Sequence, residues 1–72
     1  MTERAVVTGG AGAIGAATVR ALADAGLRVA VCARTLAAAY SVAGAAEAFE
    51  GDLADAASVD RMAEAIVAGG PV

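Results

Sequence analysis

An α/β fold built on a parallel sheet is predicted for this chain of 72 residues by three observations. Short β-branched runs alternate with alanine-rich stretches of helical spacing, the connections are a few residues long, and glycines stand where each unit changes direction. Strands that alternate with helices imply parallel pairing through right-handed crossovers.

The elements follow in order. Arg4–Thr8 (RAVVT) is a short apolar run ending at glycines, which suits a buried parallel strand. From Ala13 to Ala25 the pattern turns helical, with Ile14, Ala17, Thr18, Ala21, Leu22 and Ala25 expected on the packed face and Arg20 and Asp24 forming an i, i+4 pair elsewhere. Gly26 stands where a left-handed C-cap belongs. Arg28–Ala33 (RVAVCA) is the second strand, and Thr35 caps a short helix running to about Ala43, with Gly44 ending it. A third strand is expected at Ala46–Phe49, although Glu47 and Ala48 have low strand propensity. Asp55 caps the last helix, with Val59, Met62, Ala63, Ile66 and Val67 inward, Asp60, Arg61 and Glu64 toward solvent, and Gly69 and Gly70 closing it.

Composition narrows the function classes. Hydrophobic residues make up 60% of the chain and mean hydropathy is +0.71, so the chain needs more partner surface than it brings. A chain this short buries only about 60% of its unfolded surface. It is therefore expected to be a piece of a larger core, with residues 1–72 the N-terminal part of an incomplete domain. Arg20, Asp24, Arg28 and Arg34 interrupt the apolar stretches well short of the roughly 18 residues of a membrane span. Glu3, Arg4 and the glycine cluster do not make a secretory signal, so a cytoplasmic setting is expected. The net charge is −3, and scattered arginines without lysine give no nucleic-acid footprint. With no histidine and one cysteine, neither a metal site nor an internal disulfide is expected. Cys32 reads as a small buried strand residue and Tyr40 as a packing residue.

The chemistry sits in Thr8-Gly9-Gly10-Ala11-Gly12-Ala13-Ile14-Gly15. Gly10, Gly12 and Gly15 satisfy G-x-G-x-x-G between a predicted strand and a predicted helix, the setting of a Rossmann-type dinucleotide loop. There the chain must turn sharply, let a pyrophosphate approach the backbone and pack the helix on the strand. The first-turn N–H groups near Ala13, Ile14 and Gly15 then face the anion. A glycine turn that merely admits close helix packing is the plainer alternative. No Gly-Lys-Ser/Thr follows, so a Walker-type phosphate loop is excluded.

In a Rossmann unit, a carboxylate about 20 residues on accepts the ribose hydroxyls and marks NAD. The corresponding place here is Ala33-Arg34-Thr35, which has a guanidinium and no acid. Arginine holds a 2′-phosphate through charge-assisted, often bidentate hydrogen bonds, so NADP is expected over NAD. Asp52, with the Leu53 backbone nearby, suits either an adenine amino contact or a turn.

These residues resemble the short-chain dehydrogenase/reductase family. The stretch AVVTGGAGAIGAATVRALADAGLRVAVCAR is similar to the family's opening, and EGDLADAASVDRMAEAI to the stretch after its third strand. The resemblance implies that Thr8–Gly15 is the cofactor loop, that Arg34 selects NADP and that Asp52 and Leu53 contact adenine. It also implies that the intact relative moves a hydride between nicotinamide and a carbonyl or alcohol. One departure stands in the loop. Single-domain members carry TGxxxGxG, and Ala13 replaces the second glycine, whereas Gly9, Gly12 and Gly15 fit the TGxxGxxG of the nucleotide-sugar epimerase-like branch. The ending AIVAGGPV and the absence of an acid at Ala33 or Arg34 favour the single-domain branch. The interval from Arg34 to Asp52 is short for either.

The family's catalytic serine and Tyr-x-x-x-Lys pair lie further on, and without lysine no such pair exists in this chain. No catalytic residue is assigned, and substrate contact is expected only in the longer parent. Three functions compete: the cofactor-binding segment of an NADP-dependent oxidoreductase, a non-catalytic dinucleotide sensor, and a truncated product without function. For the isolated chain, the open outer edge of the first strand predicts poor solubility or pairing with another copy.

Overall fold

The computed structural model describes residues 3–72. Along these residues run β1 (Arg4–Thr8), α1 (Ala13–Asp24), β2 (Arg28–Ala33), α2 (Leu36–Tyr40), β3 (Ala45–Glu50) and α3 (Ala56–Ala68). The strands form one parallel sheet in the order β1-β2-β3. The first two occupy the predicted residues. β3 is one residue longer at each end than expected, and α2 stops at Tyr40 rather than Ala43.

Alternation along β2 divides the core. Val29 and Val31 face one layer, where they pack with Val19 of α1, Ala39 of α2 and Val42. Cys32 faces the other, against Met62 and Ile66 of α3, with Val6 and Phe49 alongside. α1 and α2 thus share one face of the sheet and α3 covers the opposite one. No helix among the described residues is long and apolar enough to cross a membrane.

Between β2 and β3 the register slips by one. Val29 pairs with Ala45, but Ala30 pairs with Glu47, leaving Ala46 as an extra residue in β3. The slip puts Glu47 on the α3 side of the sheet, where Arg4 meets it. Arg4 Nε and Nη2 donate to the two Glu47 carboxylate oxygens, each at 2.8 Å, and Arg28 Nε lies 3.3 Å from the same carboxylate. Arg4 Nη1 donates to the carbonyls of Ile66 and Gly70. One buried arginine therefore ties β1 to β3 and to the C-terminal end of α3, where a cation also meets the negative pole of the helix. The Arg4 hydrogen bonds hold the Glu47 carboxyl below the usual carboxylate range, and burial only partly opposes them.

Two helix faces differ from expectation. On α1 the buried residue is Val19, fully inaccessible, with Ala16, Leu22 and Ala23 beside it. Ile14 is 86% exposed, and Ala17, Thr18, Ala21 and Ala25 are exposed as well. The reason is steric: Gly15 lies against the backbone of Gly9 and Gly10 and Val19 against β2, and this rotates the packed stripe away from Ile14. On α3, Met62 and Ile66 are buried and Val59 half-buried, whereas Ala63 and Val67 face solvent. Arg20 and Asp24 are both exposed, and no ion pair within 4 Å joins them among the described residues. Tyr40 is exposed rather than packed. Gly26 (φ 92°) does close α1: its N–H donates to Ala23 and the N–H of Leu27 to Leu22, a Schellman ending.

Candidate functional site

The carboxyl ends of the three strands converge on a cavity of about 340 Å³, a size suited to a small ligand. Gly9 after β1, Arg34 after β2, and Asp52 and Leu53 after β3 all line it. Residues from three separate segments thus meet where ligands of open α/β sheets bind. Cys32 and Met62 form part of the wall. Burial pushes the Cys32 thiol up, so it remains protonated and unreactive at neutral pH.

The glycine loop joins β1 to α1, and its glycines serve different ends. Gly9 has φ 67°, the left-handed conformation that starts the reversal. A Cβ at Gly15 would stand 2.8 Å from the Gly10 Cα and nearer still to the Gly9 carbonyl oxygen, so α1 can sit this close only with glycine there. Gly12 is different. Its backbone is ordinary extended chain (φ −78°, ψ 168°), and a Cβ on it would meet only the Gly9 carbonyl oxygen, at 3.5 Å. No contact within the described residues requires glycine at this position.

Gly12 is also the N-cap of α1, and no side chain caps the helix or places an acid in its first turn. α2 and α3 are capped, Thr35 Oγ1 accepting from the Ala38 N–H at 3.1 Å and Asp55 Oδ1 from the Ala57 N–H at 3.1 Å. The amides of Ala13, Ile14 and Gly15 are therefore left without side-chain acceptors at the positive pole of the helix.

Arg34 has an 84% exposed side chain, with Nη2 3.9 Å from Asp52 Oδ1. A pair this loose and solvated contributes little and leaves the guanidinium donors available. Asp52 forms the tight turn that its sequence also allowed: its Oδ1 accepts from the Ala54 N–H at 2.9 Å and its carbonyl from the Asp55 N–H at 3.0 Å. Thr35 caps α2 and does not line the cavity. Nor do Gly10, Gly12, Ala13, Ile14 or Gly15.

Two contributors escape a reading of the sequence. The Ser58 hydroxyl accepts from the Asp52 N–H at 2.8 Å and so fixes the loop carrying Asp52 and Leu53. Its signal was its place three residues after the Asp55 cap, where a side chain reaches back toward preceding amides. Glu50 Oε2 accepts from the Leu36 N–H at 3.2 Å, tying the end of β3 to the start of α2. Nothing local in the sequence marks that contact.

The family model for short chain dehydrogenases matches residues 3–70. The chain belongs to the short-chain dehydrogenase family. A probable oxidoreductase of Streptomyces lividans is 49% identical over 71 residues, spanning 88% of this chain and 24% of that protein. Among solved structures, a variant of the actinorhodin polyketide ketoreductase with NADPH superposes with a TM-score of 0.85 and 32% identity, over 99% of this chain and 30% of the ketoreductase. An NADPH-bound short-chain oxidoreductase from Pseudomonas aeruginosa, which has an atypical catalytic center, gives 0.71 and 46% identity over 88% of this chain and 28% of that one. The chain thus spans roughly a quarter to a third of the length of these family members. All three strands and their helices match a Rossmann-like fold.

Proposed function

We propose that this chain forms the adenosine-binding part of an NADP-dependent oxidoreductase. The observation that carries the reading is Gly12, a glycine without a steric reason inside the chain, at the uncapped start of α1 and in the motif position that lets a pyrophosphate approach. The amides of Ala13, Ile14 and Gly15 bind the pyrophosphate, and Gly9 and Gly10 shape the turn before them. Arg34 takes the 2′-phosphate by exchanging its loose contact with Asp52 for a charge-assisted one. Asp52, held by Ser58 and by its own turn, meets the adenine amino group beside the Leu53 backbone. NADPH in the structural relatives supports this cofactor.

When bound, the nicotinamide supplies hydride chemistry. Residues of this chain orient the cofactor and carry no proton to substrate. Topology supports membership of a longer domain. With right-handed crossovers, α1 and α2 on one face step the chain from β1 to β3, and α3 on the other face turns the path back toward the open edge of β1. A strand placed there would complete the crevice at the point where strand order reverses. The edge of β1 is also where a second copy of the chain would pair.

Calorimetric titration of the chain with NADP and NAD tests the reading. NADP should bind more tightly, and Arg34→Ala should remove the difference while sparing NAD. Equal affinity in the unsubstituted chain would overturn the assignment to NADP. A non-catalytic sensor would bind identically. It is separated from the enzyme by whether the full parent turns over NADPH with a carbonyl substrate.

A further inference from the structure

A second groove, of about 520 Å³, runs along the outer edge of β3 between the start of α2 and the second turn of α3. It shares Arg34, Gly51, Asp52 and Met62 with the first cavity, so Arg34 stands at the junction of the two. Its far wall carries Arg61. Arg34 ends β2 and Arg61 belongs to α3, 27 residues later by their numbers. Only the fold brings both guanidinium groups to one groove. The carboxylates of the groove are already engaged by backbone donors, Glu50 by the Leu36 N–H and Asp52 by the Ala54 N–H. Arg61 has no carboxylate within 4 Å among the described residues, and its donors are uncommitted.

We propose that Arg61 is a second specificity-determining cation for the cofactor's ribose 2′-phosphate, acting across the groove from Arg34. The inference rests on the reading of Arg34 given above. A phosphate monoester held at Arg34 lies at the mouth of the second groove, and its dianionic charge presents more acceptor sites than one guanidinium fork fills. Arg61 swings from solvent to the oxygens that face α3. Ordinary salt screens a cation's pull on anything more than about 10 Å away, so Arg61 acts by direct contact within the groove it lines. Selectivity for the phosphorylated ribose then comes from two cations on different elements, with none in the glycine loop.

The test is calorimetry on the whole chain with adenosine 2′,5′-bisphosphate and adenosine 5′-monophosphate. Arg61→Gln should weaken the bisphosphate about tenfold and leave the monophosphate unchanged, and Arg61→Lys should recover part of the loss. Melting curves should coincide, since Arg61 is exposed and unpaired. Unaltered bisphosphate binding in Arg61→Gln, or equal weakening of both nucleotides, overturns the role of Arg61 while leaving Arg34 in place. If Arg34→Ala leaves the ratio of the two affinities unchanged, the underlying reading of Arg34 fails instead. A wild-type chain that does not distinguish the two nucleotides overturns both.

Discussion

α1 and α3 are of similar length and lie on opposite faces of the same sheet, yet they are held in opposite ways. α3 is secured by side chains of the chain itself at both ends: Asp55 caps its start, and Arg4, while pairing with Glu47, donates to the carbonyl of Ile66 in its last turn and to that of Gly70 just beyond it. α1 ends in a glycine turn and begins at Gly12 with no cap. Its packing is just as demanding, with Val19 fully buried and Gly15 against the loop backbone. The contrast separates a helix whose two ends are closed by side chains of the chain itself from one whose first-turn amides meet no side-chain acceptor. Burial alone does not distinguish them, whereas the disposition of their terminal amides does.

The largest effect should come from closing the gap under α1. Gly15→Val drives a branched side chain into the Gly9–Gly10 backbone and should cost about 3 kcal/mol or more, enough to unfold a chain this small. Urea denaturation followed by circular dichroism measures it, and a normal transition would mean that α1 does not depend on this close approach. Gly12→Ser is the sharper probe. Serine is a preferred N-cap, so stability should hold or rise, while dinucleotide binding falls roughly thirtyfold, or about 2 kcal/mol. If both properties survive, the first turn of α1 is not a phosphate site.

Asp55→Ala should cost α3 about 1 kcal/mol of stability and leave the ratio of NADP to NAD affinity untouched. A changed ratio would mean that α3 is not merely structural at its N-terminal end. The smallest effect concerns its other end. The Glu47 carboxyl is held below its ordinary value of 4.5, so its contribution is complete above that pH and is lost as pH falls through the folded-state value. Chain stability should therefore decline on acidification, and Glu47→Gln, less stable near neutrality, should flatten that part of the profile. A parallel profile for the variant would remove Glu47 from the account.

Much of this contrast was visible in the residues. The bounds of β1 and β2, the glycine loop, the caps Thr35 and Asp55 and the turn at Gly26 all follow from local chemistry. The packed face of α1 did not, because a helix made largely of alanine is apolar around most of its circumference and its periodicity names no single stripe. α2 looked longer than it is for a related reason: alanines favour helix without fixing where it stops. At the carboxyl ends of the strands, Gly9, Arg34, Asp52 and Leu53 were legible one at a time. Ser58, Glu50 and Arg61 were not, since each gains its meaning from a partner on another element.

The extra alanine in β3 carries a consequence of parity. Upstream of Ala46 the strand keeps one assignment of odd and even positions to the two helical layers, and downstream it keeps the reverse. Phe49 reaches α3, and Glu50 reaches the start of α2, by virtue of that single insertion. A change of one residue within the strand would exchange them, setting a carboxylate beneath Met62 and a phenyl ring beside Leu36. A two-residue change would preserve the sides. Substitution at Ala46 is thus a question of size, whereas its deletion is a question of sides, and the aim of the segment leading to Asp52 rides on the answer.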